Sequence, residues 1–433
     1  MNIYVTSFVR IRYKMKIIWD ISNTCNLNCK YCGAECFKNN EYLSEMEYMK
    51  IIYNFSGIID EVDLMGGEPL VTKNIRFILK QLYAENIKIN IITNGQEVKV
   101  LKESIVGDGI KINKLMVSLD GFQEENDANR GTGSYEKAIT FLKELIEIRD
   151  NTNLLNTVGV STVLTKDNHE SILQFLEYML NEIKVDNVLV TPVRLIGKAK
   201  KCKNIKLEPQ KELATMIEIS KYIFKNKLEN NVYLDMETPL LAEFLVKESG
   251  TKYQLLPKRC EASENTFYVD SVGNMYPCRN EKCKIDLKKD SLIDKYDTFL
   301  EFVKKKNKLK EKKCACIYKK DCNVCQLASD IELEENEICK LIDKVYMVDY
   351  NEQFVLEKPY IMYQEDGRYE LVSLSANIKE EYTFEGGEIL RCISEKAMSV
   401  REIHEYVNID IESIYRFLIQ CYSKSIVKRV TYK

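Results

Sequence analysis

Three cysteines lie close together near the start of the chain, at Cys25, Cys29 and Cys32. Their spacing is C-x3-C-x2-C, on a loop that follows a predicted strand. Three thiolates this close can bind three irons of a cubane cluster and leave the fourth iron open. The open iron can chelate a small molecule through an amino and a carboxylate group. The alternative is a zinc knuckle with Cys36 as its fourth ligand.

The composition also favours metal held by thiolates. The chain has 433 residues, with 15 Cys and 2 His. A cytosol keeps thiols reduced, so a cysteine-rich enzyme there is more often metal-binding than disulfide-linked. Soft thiolate ligands select iron–sulfur clusters or all-Cys zinc. The scarcity of imidazole argues against mixed Cys/His zinc sites and against His-based nucleophilic triads.

Charge and hydropathy exclude two classes of partner. The formal net charge of −3 gives no indication of nucleic-acid binding. No apolar run approaches the ~18 residues that a membrane span needs. The first ten residues lack a hydrophobic signal core and a cleavage site. We therefore expect a cytoplasmic protein that binds neither nucleic acid nor a membrane.

The first half of the chain alternates strand-like and helix-like segments. The predicted strands are Lys16–Ile21, Val62–Met65, Ile87–Ile92, Leu115–Leu119, Val158–Leu164 and Asn187–Thr191. The predicted helices are Ser44–Phe55, Lys73–Ala84, Glu97–Val106, Ser134–Arg149, His169–Asn181 and Pro209–Lys227. This order predicts βαβ units and a parallel sheet. Six units indicate an incomplete barrel, whose functional loops follow the carboxyl ends of the strands.

The second half predicts two further domains. From Thr238 strands become few and cysteines cluster, which indicates a loop-rich segment ordered by metal. Beyond Val345, the predicted elements resemble a winged helix-turn-helix. They are strands Tyr346–Leu356 and Tyr369–Leu374, helices Gly386–Glu395, Val400–Tyr406 and Ile411–Ser423, and strand Ile426–Val430. The predicted domains are therefore residues 1–237, 238–344 and 345–433.

The first cysteine motif, with Tyr31 before its third cysteine, resembles the signature of radical S-adenosylmethionine (SAM) enzymes. The resemblance implies a 4Fe–4S cluster on Cys25, Cys29 and Cys32, whose open iron holds the methionine part of SAM. Cleavage of SAM would then give a 5′-deoxyadenosyl radical that abstracts hydrogen from a substrate, with the hard chemistry supplied by the cofactors.

Segments at the ends of the next strands agree with this family. Glycines at a strand end allow close approach of a ligand to the backbone, and Gly66-Gly67-Glu68 resembles the family segment that binds the SAM amino group. The resemblance further implies that Ser118 contacts the ribose side and that Arg130 pairs with the carboxylate. Asn94 completes the predicted cofactor-binding set, which is Gly66, Gly67, Glu68, Asn94, Ser118 and Arg130. No residue is singled out as a catalytic acid or base.

The later cysteines resemble the SPASM auxiliary-cluster domain. Cys260, Gly273 and Cys278 form C-x12-G-x4-C. The resemblance implies two auxiliary 4Fe–4S clusters, one on Cys314, Cys316, Cys322 and Cys339, and one on Cys260, Cys278 and Cys325. Cys283 or a substrate thiolate would complete the second cluster. The pairs Cys314/Cys316 and Cys322/Cys325 are each one residue closer than the family pattern, and all-Cys zinc sites are the alternative.

Two features near these cysteines bear on substrates and partners. Sulfatase maturases, which are SPASM relatives, have an Asp that acts as a base at the position of Arg279 in this chain. The replacement argues against sulfatase maturation. The lysine run Lys304–Lys313 is interpreted as a solvated face, with docking of an acidic peptide or a reductase as the alternative.

The C-terminal segment is similar to the PqqD-like peptide-recognition element of peptide maturases. In such elements a leader peptide adds a β-strand to the sheet. The predicted helix Ile411–Ser423 carries a single Arg, Arg416, which argues against DNA binding.

These observations predict an α/β fold: a partial (β/α)6 barrel of the radical SAM type, a SPASM domain and a small α+β winged-helix domain. The predicted function is a maturase of a ribosomally made precursor peptide, forming a thioether by preference and a C–C or C–O crosslink otherwise. Its partners would be a precursor peptide with its leader and a flavodoxin or ferredoxin-type reductant. The alternatives are a peptide epimerase, a small-molecule radical enzyme, and a non-catalytic zinc-ribbon protein.

Overall fold

The computed structural model describes most of the chain. The described residues are 15–33, 43–236, 238–250, 265–279, 282–292, 294–295, 301, 337–345, 349–357, 360–365, 367–373, 379–423 and 426–430. Several predicted features lie outside them, namely Cys36, Cys260, Cys314, Cys316, Cys322, Cys325 and Lys304–Lys313.

The first half alternates strands and helices as predicted. In chain order its elements are β1 Lys16–Ser22, α1 Glu45–Phe55, β2 Glu61–Gly66, α2 Ile75–Ala84, β3 Lys88–Thr93, α3 Val98–Lys102, β4 Ile112–Ser118, α4 Gln123–Arg130, α5 Ser134–Asn151, β5 Leu155–Leu164, α6 Ile172–Glu177 and β6 Asn187–Pro192. Shorter turns of helix lie at Pro69–Val71, Glu103–Gly107, Tyr178–Ile183, Gly197–Lys201 and Lys203–Ile205.

The second half contains shorter strands and two groups of helices. In chain order its elements are α7 Pro209–Asn226, β7 Val232–Leu234, α8 Pro239–Ser249, β8 Thr266–Val269, β9 Asn274–Tyr276, β10 Ile285–Asp286, α9 Glu337–Val345, β11 Gln353–Leu356, β12 Tyr360–Glu365, β13 Arg368–Ser373, β14 Lys379–Thr383, α10 Phe384–Cys392, β15 Met398–Ser399, α11 Val400–Tyr406, α12 Ile411–Ser423 and β16 Val427–Val430. No helix in the described part of the chain is long and apolar enough to cross a membrane.

The described residues divide into two compact units. The first contains the described residues between 15 and 206 and between 265 and 301, and the second those between 207 and 250 and between 337 and 430. The three-domain boundaries at 237/238 and 344/345 remain a prediction.

The first unit is built on a large parallel sheet. Strands β1 to β6 pair in chain order, each parallel to the next. On its other side β1 pairs in parallel with β8, which continues antiparallel into β9 and β10. Strands wound in one direction with intervening helices form the wall of a β/α barrel, so the predicted α/β class and parallel sheet are confirmed.

Strand β1 shows how the sheet positions a site. Trp19 packs against Tyr48 and Phe55 of α1, with ring centroids 6.0 and 5.5 Å apart. Side chains alternate between the two faces of a strand, so Asp20 and Ser22 point away from the helix layer. The strand therefore carries its apolar residues to the core and its polar residues to the opposite face, where the cysteine loop begins.

Three helices, α4, α8 and α9, were not predicted. Helix α4 has the sequence Q-E-E-N-D-A-N-R, which lacks an apolar period. It is held instead by Asp127, whose carboxylate accepts hydrogen bonds from the backbone N–H groups of Gly133 and Tyr135. Helix α8 begins where a loop-rich segment was predicted. Its N-cap is Thr238, which accepts from the Leu241 N–H at 3.1 Å, a signal that the sequence does contain.

The second unit contains two antiparallel sheets at its C-terminal end, with strand orders β15-β11-β16 and β12-β13-β14. Helices α10, α11 and α12 pack with them around one apolar core that includes Phe354, Leu371, Ile403, Tyr415 and Leu418. The three predicted helices and the closing strand are present, whereas β12, β14 and β15 were not predicted.

Candidate active site

The loop after β1 carries Cys25, Cys29 and Cys32, each partly exposed to solvent. The Cys25 Sγ accepts a hydrogen bond from the Leu27 N–H at 3.4 Å and lies 3.7 Å from Asn94 Nδ2. The Asn94 amide also donates to Asn26 Oδ1 at 2.7 Å. Asn94, at the end of β3, thus fastens the start of the cysteine loop to the neighbouring strands.

Gly66 and Gly67 bring the end of β2 against the same loop. The Gly67 N–H donates to the Ser22 carbonyl at 2.7 Å, and the Glu68 N–H donates to the Thr24 carbonyl at 2.7 Å. A Cβ on Gly67 would lie 2.0 Å from the Thr24 oxygen, and one on Gly66 would lie 2.4 Å from the Ser22 oxygen. The close approach expected of these glycines is therefore made to the protein's own cysteine loop.

Glu68 joins β2 to β3 through a buried carboxylate that is 1% exposed. Its Oε1 accepts from the Thr93 hydroxyl at 2.6 Å and from the Leu70 N–H at 3.1 Å, and its Oε2 accepts from the Asn94 N–H at 2.7 Å. Burial raises the pKa of Glu68 to about 7, against the lowering effect of these donors. Glu68 therefore positions Asn94, and both Glu68 carboxylate oxygens accept hydrogen bonds from groups of the protein itself.

Glu68 should give the protein a distinct pH dependence. Its folded-state pKa of about 7 exceeds the ordinary value of 4.5, so between these values the native state keeps a proton that the unfolded state has lost. Stability should therefore fall as pH rises from about 4.5 to about 7 and then level off. Glu68→Gln should remove this slope, as measured by urea unfolding midpoints at pH 5 and pH 8. Glu182→Gln, on the exposed turn Tyr178–Ile183, is the matched control and should keep the slope. An unchanged slope in Glu68→Gln would contradict the assignment.

Arg130 lies beside the cysteine loop, but its guanidinium is held by Asp120. The Nε–Oδ2 and Nη2–Oδ1 distances are 2.5 and 3.1 Å, and the two side chains are 10% and 0% exposed. Asp120 Oδ1 also accepts from the Val163 N–H at 3.0 Å. The bidentate contact expected between Arg130 and SAM is thus made within the protein. A ligand carboxylate would meet the opposite edge of the guanidinium. No sequence pattern indicated this role for Asp120.

The positive charge of Arg130 affects the pKa of Cys29. Burial raises the pKa of the Cys29 thiol to about 11, and the nearby Arg130 guanidinium partly offsets this rise. A thiol with this pKa is protonated at neutral pH, so binding iron there would release the proton.

Ser118 ends β4 and is partly exposed, beside Ser161 of β5 in the sheet register. The predicted cofactor-binding residues and the three cysteines therefore follow the carboxyl ends of β1 to β4, or lie on α4 directly after β4. A barrel of parallel strands predicts this edge for a site.

A polar cluster around the buried Asp20 was not predicted from the sequence. Asp20 of β1 accepts from the Tyr268 hydroxyl of β8 at 2.7 Å and from Arg279 Nη2 at 2.6 Å. The Arg279 guanidinium lies 5.1 Å from the centroid of the Tyr268 ring. Burial raises the pKa of Asp20, and Arg279 acts in the opposite direction. Arg279 therefore forms an ion pair with Asp20 of β1.

Three of the later cysteines lie among the described residues. Cys278 and Cys283 are partly exposed, and Cys339 is buried on α9, where its thiol lies 3.2 Å from the Thr238 hydroxyl. Gly273 adopts a φ of +84° in the β8–β9 turn, where a Cβ would meet Ile51 at 2.7 Å. The glycine of this motif is therefore required by the turn.

The cysteine loop carries the set of thiol ligands that an iron–sulfur cluster takes. Within the described ranges, no three Cys, His, Asp or Glu side chains converge on one point as a single metal ion requires. A four-iron cluster is wider than one ion, and it takes thiolate ligands. The three thiols on one partly exposed loop suit such a cluster.

Comparison with known proteins defines the class. Residues 19–179 match the model of the Radical SAM superfamily, which spans β1 to α6 and includes the cysteine loop, the β2 glycines, Glu68, Asn94, Ser118 and Arg130. Residues 19–179 therefore form a radical SAM domain.

The particular relatives are diverse. An S-adenosylmethionine-dependent nucleotide dehydratase of Fibrobacter sp. is 27% identical over 184 residues, covering 40% of this chain and 51% of the relative. Mycofactocin maturase MftC of Mycolicibacterium smegmatis is 26% identical over 172 residues, covering 37% and 40%. The chain spans only about half the length of these relatives. Streptococcus suis SuiB bound to SAM superposes with a TM-score of 0.56 at 17% identity, covering 72% of this chain and 71% of SuiB, which establishes the likeness of fold.

Proposed function

We propose that this protein is a radical SAM peptide maturase that installs a crosslink in a ribosomally made precursor peptide, with a thioether as the favoured product. The observation that carries the proposal is the cysteine loop packed against Gly66 and Gly67 at the carboxyl edge of a parallel sheet. A site of this kind needs its three thiols fixed before a cluster can form.

The residues present have separate tasks in this proposal. Cys25, Cys29 and Cys32 would hold the cluster, and the edge formed by Gly66–Glu68, Asn94, Ser118 and Arg130 would receive SAM. When bound, cluster and SAM together supply a carbon radical that takes hydrogen from the substrate. Asp120 keeps the Arg130 cation at a fixed place beside the cysteines, where it favours negatively charged ligands.

The fold of SuiB supports a peptide as the substrate. SuiB has also been solved bound to its precursor peptide SuiA, and that structure superposes with a TM-score of 0.56 at 17% identity. In the present chain, the sheet β12-β13-β14 with helices α10 to α12 is the proposed PqqD-like element. An extended leader would pair with an edge strand of this sheet, since backbone hydrogen bonds give affinity in such complexes.

The SPASM assignment belongs to the same proposal. Cys260, Cys278 and Cys325 would hold one auxiliary cluster, and Cys314, Cys316, Cys322 and Cys339 the other. An open iron at the first of these could bind a substrate cysteine thiolate, which is the reason to favour a thioether over C–C or C–O bonds. The Gly273 turn, which sets the distance from β8 to Cys278, supports a fixed position for this ligand.

A second candidate is a radical enzyme that acts on a small molecule. The similarity to an S-adenosylmethionine-dependent nucleotide dehydratase, 27% identical over 184 residues, favours it. In that case the C-terminal sheet and helices would have no peptide partner.

Mass spectrometry separates these candidates. The reconstituted protein should convert SAM to 5′-deoxyadenosine with dithionite, whereas the Cys25→Ala, Cys29→Ala and Cys32→Ala triple variant should not. Co-expression with short peptides encoded beside the gene should give a peptide that has lost two hydrogens. Co-expression with the triple variant is the control. SAM cleavage by the triple variant would overturn the radical SAM site. An unmodified peptide, together with turnover of a nucleotide, would favour the second candidate.

A further inference from the structure

We propose that the segment Arg194–Lys206, here called the basic ridge, is the docking surface for an acidic electron-donor protein of the flavodoxin type. This inference rests on the proposed function, because the cluster on the cysteine loop must receive an electron. One electron would pass from the reduced donor to the cluster, which oxidises the donor by one electron and makes or breaks no bond. It assigns the reductant to a surface other than the Lys304–Lys313 run.

The basic ridge is joined directly to the cysteine loop. The Lys198 N–H donates to the Cys32 carbonyl at 3.0 Å, and Lys198 Nζ donates to Asn28 Oδ1 at 2.6 Å. Gly197 has a φ of +54°, and a Cβ there would lie 2.6 Å from the Cys32 oxygen. No space for another layer remains between the two segments, so only the ridge itself would separate a protein seated on it from the backbone that carries Cys32.

The ridge carries a concentrated positive charge. It contains six Lys or Arg and no Asp or Glu, in a chain whose net charge is −3. Its exposed cations are Arg194, Lys200, Lys201 and Lys203. Lys30 of the cysteine loop and Lys166, whose N–H donates to the Ile205 carbonyl at 3.0 Å, extend the patch, and Asp167 is an exposed acid beside it.

The lysines of the basic ridge lie on a segment that is anchored by buried apolar side chains. Ala199 and Ile205 are 0% and 4% exposed and pack with Tyr31 and Val193 in a small apolar cluster. Tyr31 lies in the cysteine loop itself, so the cluster fixes the lysines relative to that loop. A preorganised cationic surface loses little entropy on association, which suits the small, transient interfaces of redox partners.

The charge and composition favour a protein partner over RNA. Opposite charges steer an acidic partner to the surface and make its association sensitive to salt. Single-stranded nucleic acids are bound by aromatic side chains that stack on bases, and residues 194–206 contain no Phe, Tyr or Trp.

The test compares two triple charge reversals. The variant Lys200→Glu, Lys201→Glu, Lys203→Glu should bind flavodoxin with an association rate constant reduced about tenfold or more at low salt, measured by surface plasmon resonance. It should also lose flavodoxin-supported formation of 5′-deoxyadenosine while keeping the dithionite-supported reaction. The control is Lys221→Glu, Lys225→Glu, Lys227→Glu, which makes the same charge change at exposed positions of α7 and its C-cap, and it should behave as the unaltered protein.

Other results of this test would overturn either the docking surface or the proposed function. Equal flavodoxin binding by the two triple variants, or no salt-sensitive binding by the unaltered protein, would overturn the basic ridge as the docking surface. Loss of binding to an RNA oligonucleotide, with flavodoxin binding intact, would make it a nucleic-acid site instead. The milder variant Lys200→Gln, Lys201→Gln, Lys203→Gln removes the charges without reversing them. Its flavodoxin binding should lie between that of the Glu variant and that of the unaltered protein, and it controls for misfolding of the Glu variant. Failure of the unaltered protein to cleave SAM with dithionite would overturn the proposed function, while the binding measurement would still decide the docking surface.

Discussion

Replacement of Gly67 by alanine should abolish iron binding at Cys25, Cys29 and Cys32. The new Cβ would stand 2.0 Å from the Thr24 carbonyl oxygen and 2.5 Å from its carbon. Both are backbone atoms, which cannot move aside as the end of a side chain can. The hydrogen bonds from Gly67 and Glu68 to Ser22 and Thr24 would break with this shift. The cysteine loop would then lose its fixed place, and three ligands would no longer meet one cluster.

The measurement is the iron content of the reconstituted radical SAM site, with its visible absorbance and its yield of 5′-deoxyadenosine. The matched control is Gly107→Ala, because Gly107 also has a backbone conformation open to alanine and a Cβ there would meet nothing within 4 Å. This variant should keep its iron and its SAM cleavage. Wild-type iron binding by Gly67→Ala would show that the loop does not depend on this contact.

The second large effect should follow from Asp120→Asn. The change leaves the shape of the side chain but removes the charge that balances Arg130, and both side chains are at least nine-tenths buried. Removal of one partner of a buried ion pair leaves an uncompensated charge, which costs about 3–5 kcal/mol of unfolding free energy. Urea unfolding under anaerobic conditions should show this loss as a lower midpoint.

Asp108→Asn is the matched control for this change. Asp108 makes a similar two-point contact with Arg76, at 2.5 and 2.7 Å, but the Arg76 side chain is 46% exposed, against 10% for Arg130. Exposed pairs contribute little because water screens them, so the control should unfold close to the unaltered protein. If the two variants lost the same stability, burial of the Arg130–Asp120 pair would not be the cause.

Local patterns predicted most of the parallel sheet and the position of the cysteine loop. Apolar runs between glycine and polar turns marked β1 to β6, and a strand-to-loop motif placed Cys25, Cys29 and Cys32 at its edge. Helix α4 was missed because Q-E-E-N-D-A-N-R has no apolar period, and its stability comes from the Asp127 carboxylate. Local pattern is informative only where the helix is amphipathic.

The contacts that complete the candidate site lie beyond local pattern. Asp20 and Arg279 are 259 positions apart in the sequence. The residues next to either of them give no sequence signal that β1 pairs with β8. The sequence motif singled out Glu68, but the use of both of its carboxylate oxygens within the protein depends on the register of β2 and β3. The pairing of Arg130 with Asp120 likewise depends on how α4 folds back after the end of β4.

The parallel pairing of β1 with β8 has a consequence for synthesis on the ribosome. The strand that leads into the cysteine loop is made well before β8, so one of its edges stays open until Thr266–Val269 emerges. At roughly 5–20 residues per second, this delay is on the order of ten seconds or more. During that interval the nascent chain presents an unpaired strand beside three reduced thiols, so the timing of metal delivery and the protection of that edge become parts of the same problem.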